Sequence, residues 1–170
     1  MCDIRYFKSA YHCYDVAVNL MKLYQYDEMY LNDVAYHLQQ CVEKTLKAFL
    51  ECRGVTVPQT HSIRKLISMS ANNGSIAVVT DWLAENQYEI ETWESDTRYN
   101  FDICLEAGRI RTGLEEVRRF LDINHMGYEL NPELTEERKA RLREKLPRNL
   151  VIRDDFEWNC YYNIFKKGLK

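Results

Sequence analysis

The chain has 170 residues, of which 46% are hydrophobic and 29% charged, and its formal net charge is −3. A chain of this length can bury a hydrophobic core, and its composition is ordinary for a globular protein. The slightly acidic balance excludes a surface coated with basic residues for duplex binding, but it allows a local basic patch. No apolar run reaches the roughly 18 residues of a membrane-spanning helix, and residues 1–15 lack the apolar core of a signal peptide. We therefore expect a cytoplasmic protein without membrane contact.

The cysteines, glycines and prolines limit the kinds of binding site and of secondary structure that we expect. Six cysteines are dispersed along the chain and form no C-x-x-C motif, so no metal site is expected. The six glycines form neither a phosphate-binding loop nor a dinucleotide fingerprint, so no cofactor is expected. With three prolines and no cleanly alternating apolar run, the composition favours helices over sheet.

Apolar residues spaced three and four apart predict four main helices in chain order. The first spans residues 4–26, and the second begins after Asp27 and ends at Gly54. The third begins at Ser75, and the fourth covers residues 101–123. Short connections imply that neighbouring helices are antiparallel. The expected fold is all-α, an antiparallel up-and-down four-helix bundle.

Two further segments complete the predicted architecture. A short helix from Thr60 to about Ser70 crosses one end of the bundle, and a charged helix is predicted over residues 132–146. The tail that follows is too hydrophobic to be disordered. We therefore divide the chain into a helical bundle over residues 1–124 and a C-terminal helical extension over residues 125–170. The extension is expected to pack on the bundle or on a partner subunit.

The second predicted helix has an apolar face and a polar face. The polar face follows the same three- and four-residue steps as the apolar one and includes two cations. Its members are His37, Gln40, Lys44 and Lys47. Either this face is an ordinary solvated helix surface, or it binds a ligand.

Three blocks of the sequence resemble the HEPN family. They are LQQCVEKTLKAFLECRG at residues 38–54, THSIRKL at residues 60–66 and RY at residues 98–99. Their order and approximate spacing are similar to the family's pattern, and the resemblance covers residues 6–121. It implies a helical bundle that binds nucleotides or RNA and that forms a homodimer.

The resemblance leaves open whether the protein is an enzyme. HEPN ribonucleases carry an arginine, followed four to six residues later by a histidine, at the start of the last bundle helix. Arg98 corresponds to that arginine by position, but no histidine follows it at that spacing. Arg119 and His125 do have the right spacing, but they lie at the end of the predicted helix instead. Arg98, Arg119 and His125 are therefore the catalytic candidates.

The expected ligand site is centred on Arg98, which is predicted to lie at a helix start. A guanidinium there can hold a phosphate bidentately while helix amides add positive charge. Tyr99 would stack on a base, and Asp96 would orient the guanidinium. The other predicted binding residues are Lys44, Lys47, His37 and His61. The alternative for Arg98 is a structural ion pair with Glu43, and the alternative for His61 is a capping or packing role.

Three functions stay open at this point. The first is a HEPN module that binds nucleotide or RNA phosphate in a prokaryotic toxin–antitoxin or defence system. The second is a HEPN ribonuclease toxin paired with a minimal nucleotidyltransferase antitoxin. The third is a non-catalytic bundle that mediates dimerisation. The heptad-like seam of the last bundle helix and the apolar tail both favour a homodimer.

Overall fold

The computed structural model describes residues 4–74, 76–99 and 105–166. All regular secondary structure in these ranges is helical, which confirms the predicted all-α class. The helices are α1 (Ile4–Met21), α2 (Met29–Cys52), α3 (Ile63–Asn72), α4 (Asp81–Glu85), α5 (Gln87–Tyr99), α6 (Ala107–Ile123), α7 (Glu136–Lys145) and α8 (Asp155–Phe165). None of these described helices is long and apolar enough to cross a membrane.

Helix α2 is the central element of the bundle. It packs against α1, α3, α5 and α6, and 14 of its 24 residues are buried. A helix surrounded in this way lacks the broad solvated face of a surface helix. Its buried residues accordingly include the polar Gln39 and Glu43 beside Leu38 and Leu46. Gly54 follows the helix with φ +74°, a left-handed conformation suited to glycine, as the predicted helix end requires.

The first and third predicted helices have different bounds in the structure. Helix α1 ends at Met21, where residues 22–26 turn towards α2. The helix predicted from Ser75 is divided into α4 and α5, and Ser75 itself lies outside the described residues. Helix α4 begins after Thr80, whose Oγ1 accepts a hydrogen bond from the Leu83 amide at 3.2 Å. Thr80 therefore provides the N-cap that Ser75 was expected to provide.

Helix α3 begins later than the sequence predicts. Its N-cap is Ser62, whose Oγ accepts from the Lys65 amide at 3.3 Å. Thr60 accepts a hydrogen bond from the Ser62 amide instead of capping the helix. The prediction that His61 lies in the first helical turn is therefore wrong, because His61 lies on the loop before the N-cap.

The heptad-like seam of α6 faces the core of its own chain. Ile110, Val117 and Leu121 are buried in the main hydrophobic core, and Leu114 packs against it. Residues 101–104, where the predicted helix begins, lie outside the described residues. The seam is thus used within the bundle, so it does not itself supply a dimer interface.

The C-terminal segment contributes to the same core. Phe156 and Cys160 of α8 are buried with the bundle residues, and α8 contacts α1. A second, smaller core joins α7 to α8 through Leu142 and Trp158. Helix α7 begins at Glu136 rather than at Pro132, because Thr135 is its N-cap.

Buried asparagines fix the segment between α6 and α8. The Asn163 Nδ2 atom donates to the Asn124 carbonyl oxygen at 2.6 Å. Asn159 Nδ2 donates to the carbonyl oxygens of Gly127 and Glu129 at 2.9 and 2.7 Å. Asn124 also pairs through its side chain with the backbone of residue 78, at 2.8 Å in both directions. These amides satisfy backbone groups that the loops leave unpaired.

Phe156→Ala is expected to lower the free energy of unfolding by about 3–5 kcal/mol, because it leaves a cavity in the main core. Phe156 is 1% exposed, whereas Val151 of the same segment is 74% exposed. Val151→Ala is the control and should change stability by less than about 0.5 kcal/mol. Urea denaturation of both variants measures the difference. Equal stabilities would contradict the packing of α8 in the bundle core.

Candidate functional site at the junction of α2, α3 and α5

The carboxylate of Glu43 lies at the centre of a polar junction. Glu43 is only 4% exposed. Lys47 Nζ donates to its Oε1 and Gln39 Nε2 donates to its Oε2, both at 2.8 Å. A buried carboxylate must be paired and hydrogen-bonded to stay charged. Lys47 is therefore a half-buried counterion of Glu43 and not the exposed partner that the helical spacing alone suggests.

His61 faces Glu43 from the loop before α3. Its Nδ1 lies 3.3 Å from Glu43 Oε2 and 3.3 Å from Glu94 Oε2 of α5. The side chain of His61 is 70% exposed, whereas those of Glu43 and Glu94 are 5% and 15% exposed. One edge of the imidazole thus meets two enclosed carboxylates, while the rest of the ring is open to solvent.

Glu91 fixes the loop that carries His61. Its Oε2 accepts from Ser62 Oγ at 2.8 Å, and its Oε1 accepts from Arg64 Nη2 at 3.1 Å. Burial raises the pKa of Glu91, but the hydrogen bonds from Arg64 and Ser62 outweigh it and leave the pKa below its ordinary value. Since Ser62 follows His61 directly, this contact holds the imidazole against α5.

Arg98 and Tyr99 form the last turn of α5, so the expectation that Arg98 lies at a helix start is wrong. The helical pattern of α5 simply continues through both residues. Helical spacing puts position 98 one turn beyond Glu94, on the side of α5 that faces the junction. The Arg98 and Tyr99 side chains lie outside the described residues. The predicted pairing of Arg98 with a phosphate or with Glu43 therefore lies outside them too.

Asp96 lies on a different side of α5 from Glu94. Two residues along a helix correspond to about 200° of rotation, so Asp96 lies on the other side of α5 from positions 94 and 98. There its Oδ1 accepts a hydrogen bond from Ser95 Oγ at 3.4 Å. The structure thus places Asp96 away from the junction.

Lys44 and His37 lie on the α1 side of α2. Lys44 Nζ donates to Ser9 Oγ and to Cys13 Sγ, both at 3.3 Å. The His37 ring packs against Tyr36, and burial lowers the pKa of His37. The predicted polar stripe is therefore divided: Lys47 joins Glu43, whereas Lys44 and His37 face α1.

The structure also separates the second arginine–histidine pair. Arg119 is 67% exposed and pairs with Glu116 at 3.4 Å. His125 has φ +53° and lines a cavity of about 300 Å³ beside Arg118, not Arg119. Burial lowers the pKa of His125. The matching spacing thus does not place Arg119 in the cavity that His125 lines.

Sequence reasoning missed the acidic half of the junction. The carboxylates of Glu91 and Glu94 were not predicted as site residues, yet Glu91 contacts Ser62 and Glu94 contacts His61. Their spacing with Arg98 along one side of α5 was the available signal. One ligand atom each of Glu43, His61 and Glu94 lies within 4.8 Å of those of the other two, a grouping that the sequence did not indicate.

The fold and the junction define a helical-bundle domain with a polar cluster between its central helix and α5. The family model described as the HEPN domain matches residues 5–125, which is more than half of the chain. The chain therefore belongs to the HEPN domain family, and the resemblance seen in its motifs is confirmed. Membership supports a nucleotide- or RNA-related module in general terms. No curated protein and no solved structure matches the chain.

The His37→Gln variant is expected to lose less of its free energy of unfolding than the wild type does when the solution becomes weakly acidic. Because the folded-state pKa of His37 lies below 6.5, the unfolded chain binds its proton at a higher pH than the folded chain does. The free energy of unfolding therefore falls as the pH drops below 6.5. Urea titrations at about pH 7.5 and about pH 5.5 measure the change. A His37→Gln chain that loses as much stability as the wild type between these two pH values would contradict the prediction.

Proposed function

We propose that the protein binds the phosphate groups of nucleotides or RNA at the junction of α2, α3 and α5. The observation that carries the proposal is the position of residue 98 one turn beyond Glu94, on the side of α5 where Lys47 and His61 meet Glu43. A guanidinium at that position can hold a phosphate through two parallel hydrogen bonds. Tyr99, the next residue, would stack on a base.

The charge arrangement at the junction supports anion binding. Two of the three carboxylates at the junction, Glu43 and Glu91, are paired with Lys47 and Arg64. An incoming phosphate would therefore meet two neutralised carboxylates there, with Glu94 against His61, and Arg98 would add a positive charge. The last turn of α5 favours a cation such as Arg98 because the helix dipole is negative there, so the attraction for phosphate would come from side chains and not from the helix end.

The open shape of the junction supports a nucleotide or a flexible strand as ligand. The side chains of His61 and Arg64 are 70% and 54% exposed, so a phosphate can approach from solvent. Single-stranded RNA is bound in such open sites by backbone charge and by aromatic stacking.

Binding rather than cleavage is proposed because the ribonuclease histidine has no counterpart after Arg98. The other arginine–histidine pair is divided between an exposed ion pair and a separate cavity. The resemblance to the family implies a more specific biological role. In that role the protein belongs to a prokaryotic toxin–antitoxin or defence pair, with a minimal nucleotidyltransferase as partner.

Arg98→Ala is expected to weaken binding of ATP and of a short single-stranded RNA by about 1.5–3 kcal/mol, the scale of a hydrogen bond to a charged group. Its melting temperature should change little. Isothermal titration calorimetry measures the affinity, and Arg119→Ala is the control, because Arg119 is an exposed arginine away from the junction. The control should bind both ligands as the wild type does.

The alternative for Arg98 predicts a different outcome. If Arg98 were a structural partner of Glu43, the alanine variant would lose about 3–5 kcal/mol of stability, because Glu43 would lose a buried counterion. A variant that loses stability but keeps its affinity, or one that keeps both, overturns Arg98 as the phosphate ligand.

A homodimer is part of the proposal. It rests on the family, whose members commonly dimerise, because the α6 seam and the apolar tail pack within one chain. Light scattering should give twice the chain mass of 20.3 kDa at a protein concentration of tens of micromolar. A monomer under these conditions would contradict this part of the proposal.

A further inference from the structure

We propose that Glu43, His61 and Glu94 form a binding site for a divalent transition-metal cation of the Zn²⁺ type. The three side chains come from α2, from the loop before α3 and from α5. One ligand atom of each lies within 4.8 Å of those of the other two. This inference goes beyond phosphate binding and stands whether or not a nucleotide binds.

The two distances from His61 match the spacing of ligands around a shared metal. His61 Nδ1 lies 3.3 Å from one oxygen of Glu43 and 3.3 Å from one oxygen of Glu94. Hydrogen bonds between an imidazolium and a carboxylate are shorter, about 2.7–2.9 Å. Zn²⁺ binds imidazole nitrogen and carboxylate oxygen at about 2.0 Å, and the ligands of a tetrahedron of that size are about 3.3 Å apart.

The tautomer of the His61 imidazole decides whether Nδ1 can act as a metal ligand. Nδ1 carries at most one hydrogen, which can point at only one of the two carboxylate oxygens. In the neutral tautomer protonated on Nε2, the Nδ1 lone pair faces both oxygens. A cation placed between these three electron pairs would be attracted by all of them, and neutral imidazole is a common metal ligand.

Glu43 is already oriented for this role. Lys47 binds its Oε1, which leaves Oε2 directed at His61 and Glu94, and Gln39 Nε2 donates to Oε2 at 2.8 Å. Gln39 is therefore an outer partner that holds the ligand oxygen in place, whereas the cation of Lys47 competes with a metal for the charge of Glu43. With three protein donors and a ring that is 70% exposed, a fourth position is available to water. The arrangement matches open zinc sites rather than closed structural ones.

The donor set also selects the ion. One imidazole nitrogen and two carboxylate oxygens suit Zn²⁺ and Co²⁺, whereas Mg²⁺ and Ca²⁺ prefer oxygen ligands throughout. We therefore expect tight binding of Zn²⁺ and Co²⁺ and much weaker binding of Mg²⁺.

The experiment is a calorimetric titration of the full chain, purified without a histidine tag and treated with chelator, with Zn²⁺, Co²⁺ and Mg²⁺. We expect one Zn²⁺ or Co²⁺ per chain. Glu94→Gln and His61→Ala should each weaken Zn²⁺ binding by more than about tenfold. Glu89→Gln is the matched control: it makes the same charge change on α5, at a residue that pairs with Arg109 instead. It should bind as the wild type does.

A fourth variant predicts a change in the opposite direction. Lys47→Gln removes the cation that competes for the charge of Glu43, so it should bind Zn²⁺ more tightly than the wild type. Thermal melts without metal show which variants are folded. The proposal is overturned by a wild-type chain without one bound Zn²⁺, by equal losses in Glu94→Gln and Glu89→Gln, or by weaker binding in folded Lys47→Gln.

Discussion

The buried carboxylate of Glu43 is the constraint on which the polar part of the structure depends. It lies on the central helix, where the surroundings are mostly apolar, so it needs partners that α2 alone does not fully provide. Lys47 and Gln39 come from the same helix, and His61 comes from the loop before α3. Glu94 adds a second carboxylate from α5. Groups from α2, from the loop before α3 and from α5 thus meet around the charge of one side chain.

The sequence predicted the helical class and the extent of α2, because apolar periodicity and Gly54 are local signals that burial reinforces. It misplaced the starts of α3 and α4. Thr60, Ser62 and Thr80 are all suitable N-cap residues, and contacts between distant parts of the chain decide which one is used. Ser62 is favoured because its hydroxyl also donates to Glu91, 29 residues further along the chain.

The site was predictable only in part, for a related reason. The spacing of Glu43 and Lys47 shows their pairing, but it does not show that Glu43 is buried on a helix that packs against four others. The spacing of Lys44 and Lys47 suggests one basic face. In the structure, however, Lys44 donates to Ser9 and Cys13 of α1, away from Lys47 and Glu43. Periodicity describes one helix at a time, and these outcomes depend on what each helix faces.

The amides of α8 have a consequence for the boundary of the domain. The family match ends at residue 125, but the carbonyl of Asn124 is bonded by Asn163, and Phe156 fills space in the same core. A chain cut at the end of the match would expose apolar surface on α1 and would leave buried carbonyl groups without donors. Such a truncation would favour aggregation and proteolysis. The packed unit therefore extends beyond the residues that the family match covers and includes α8.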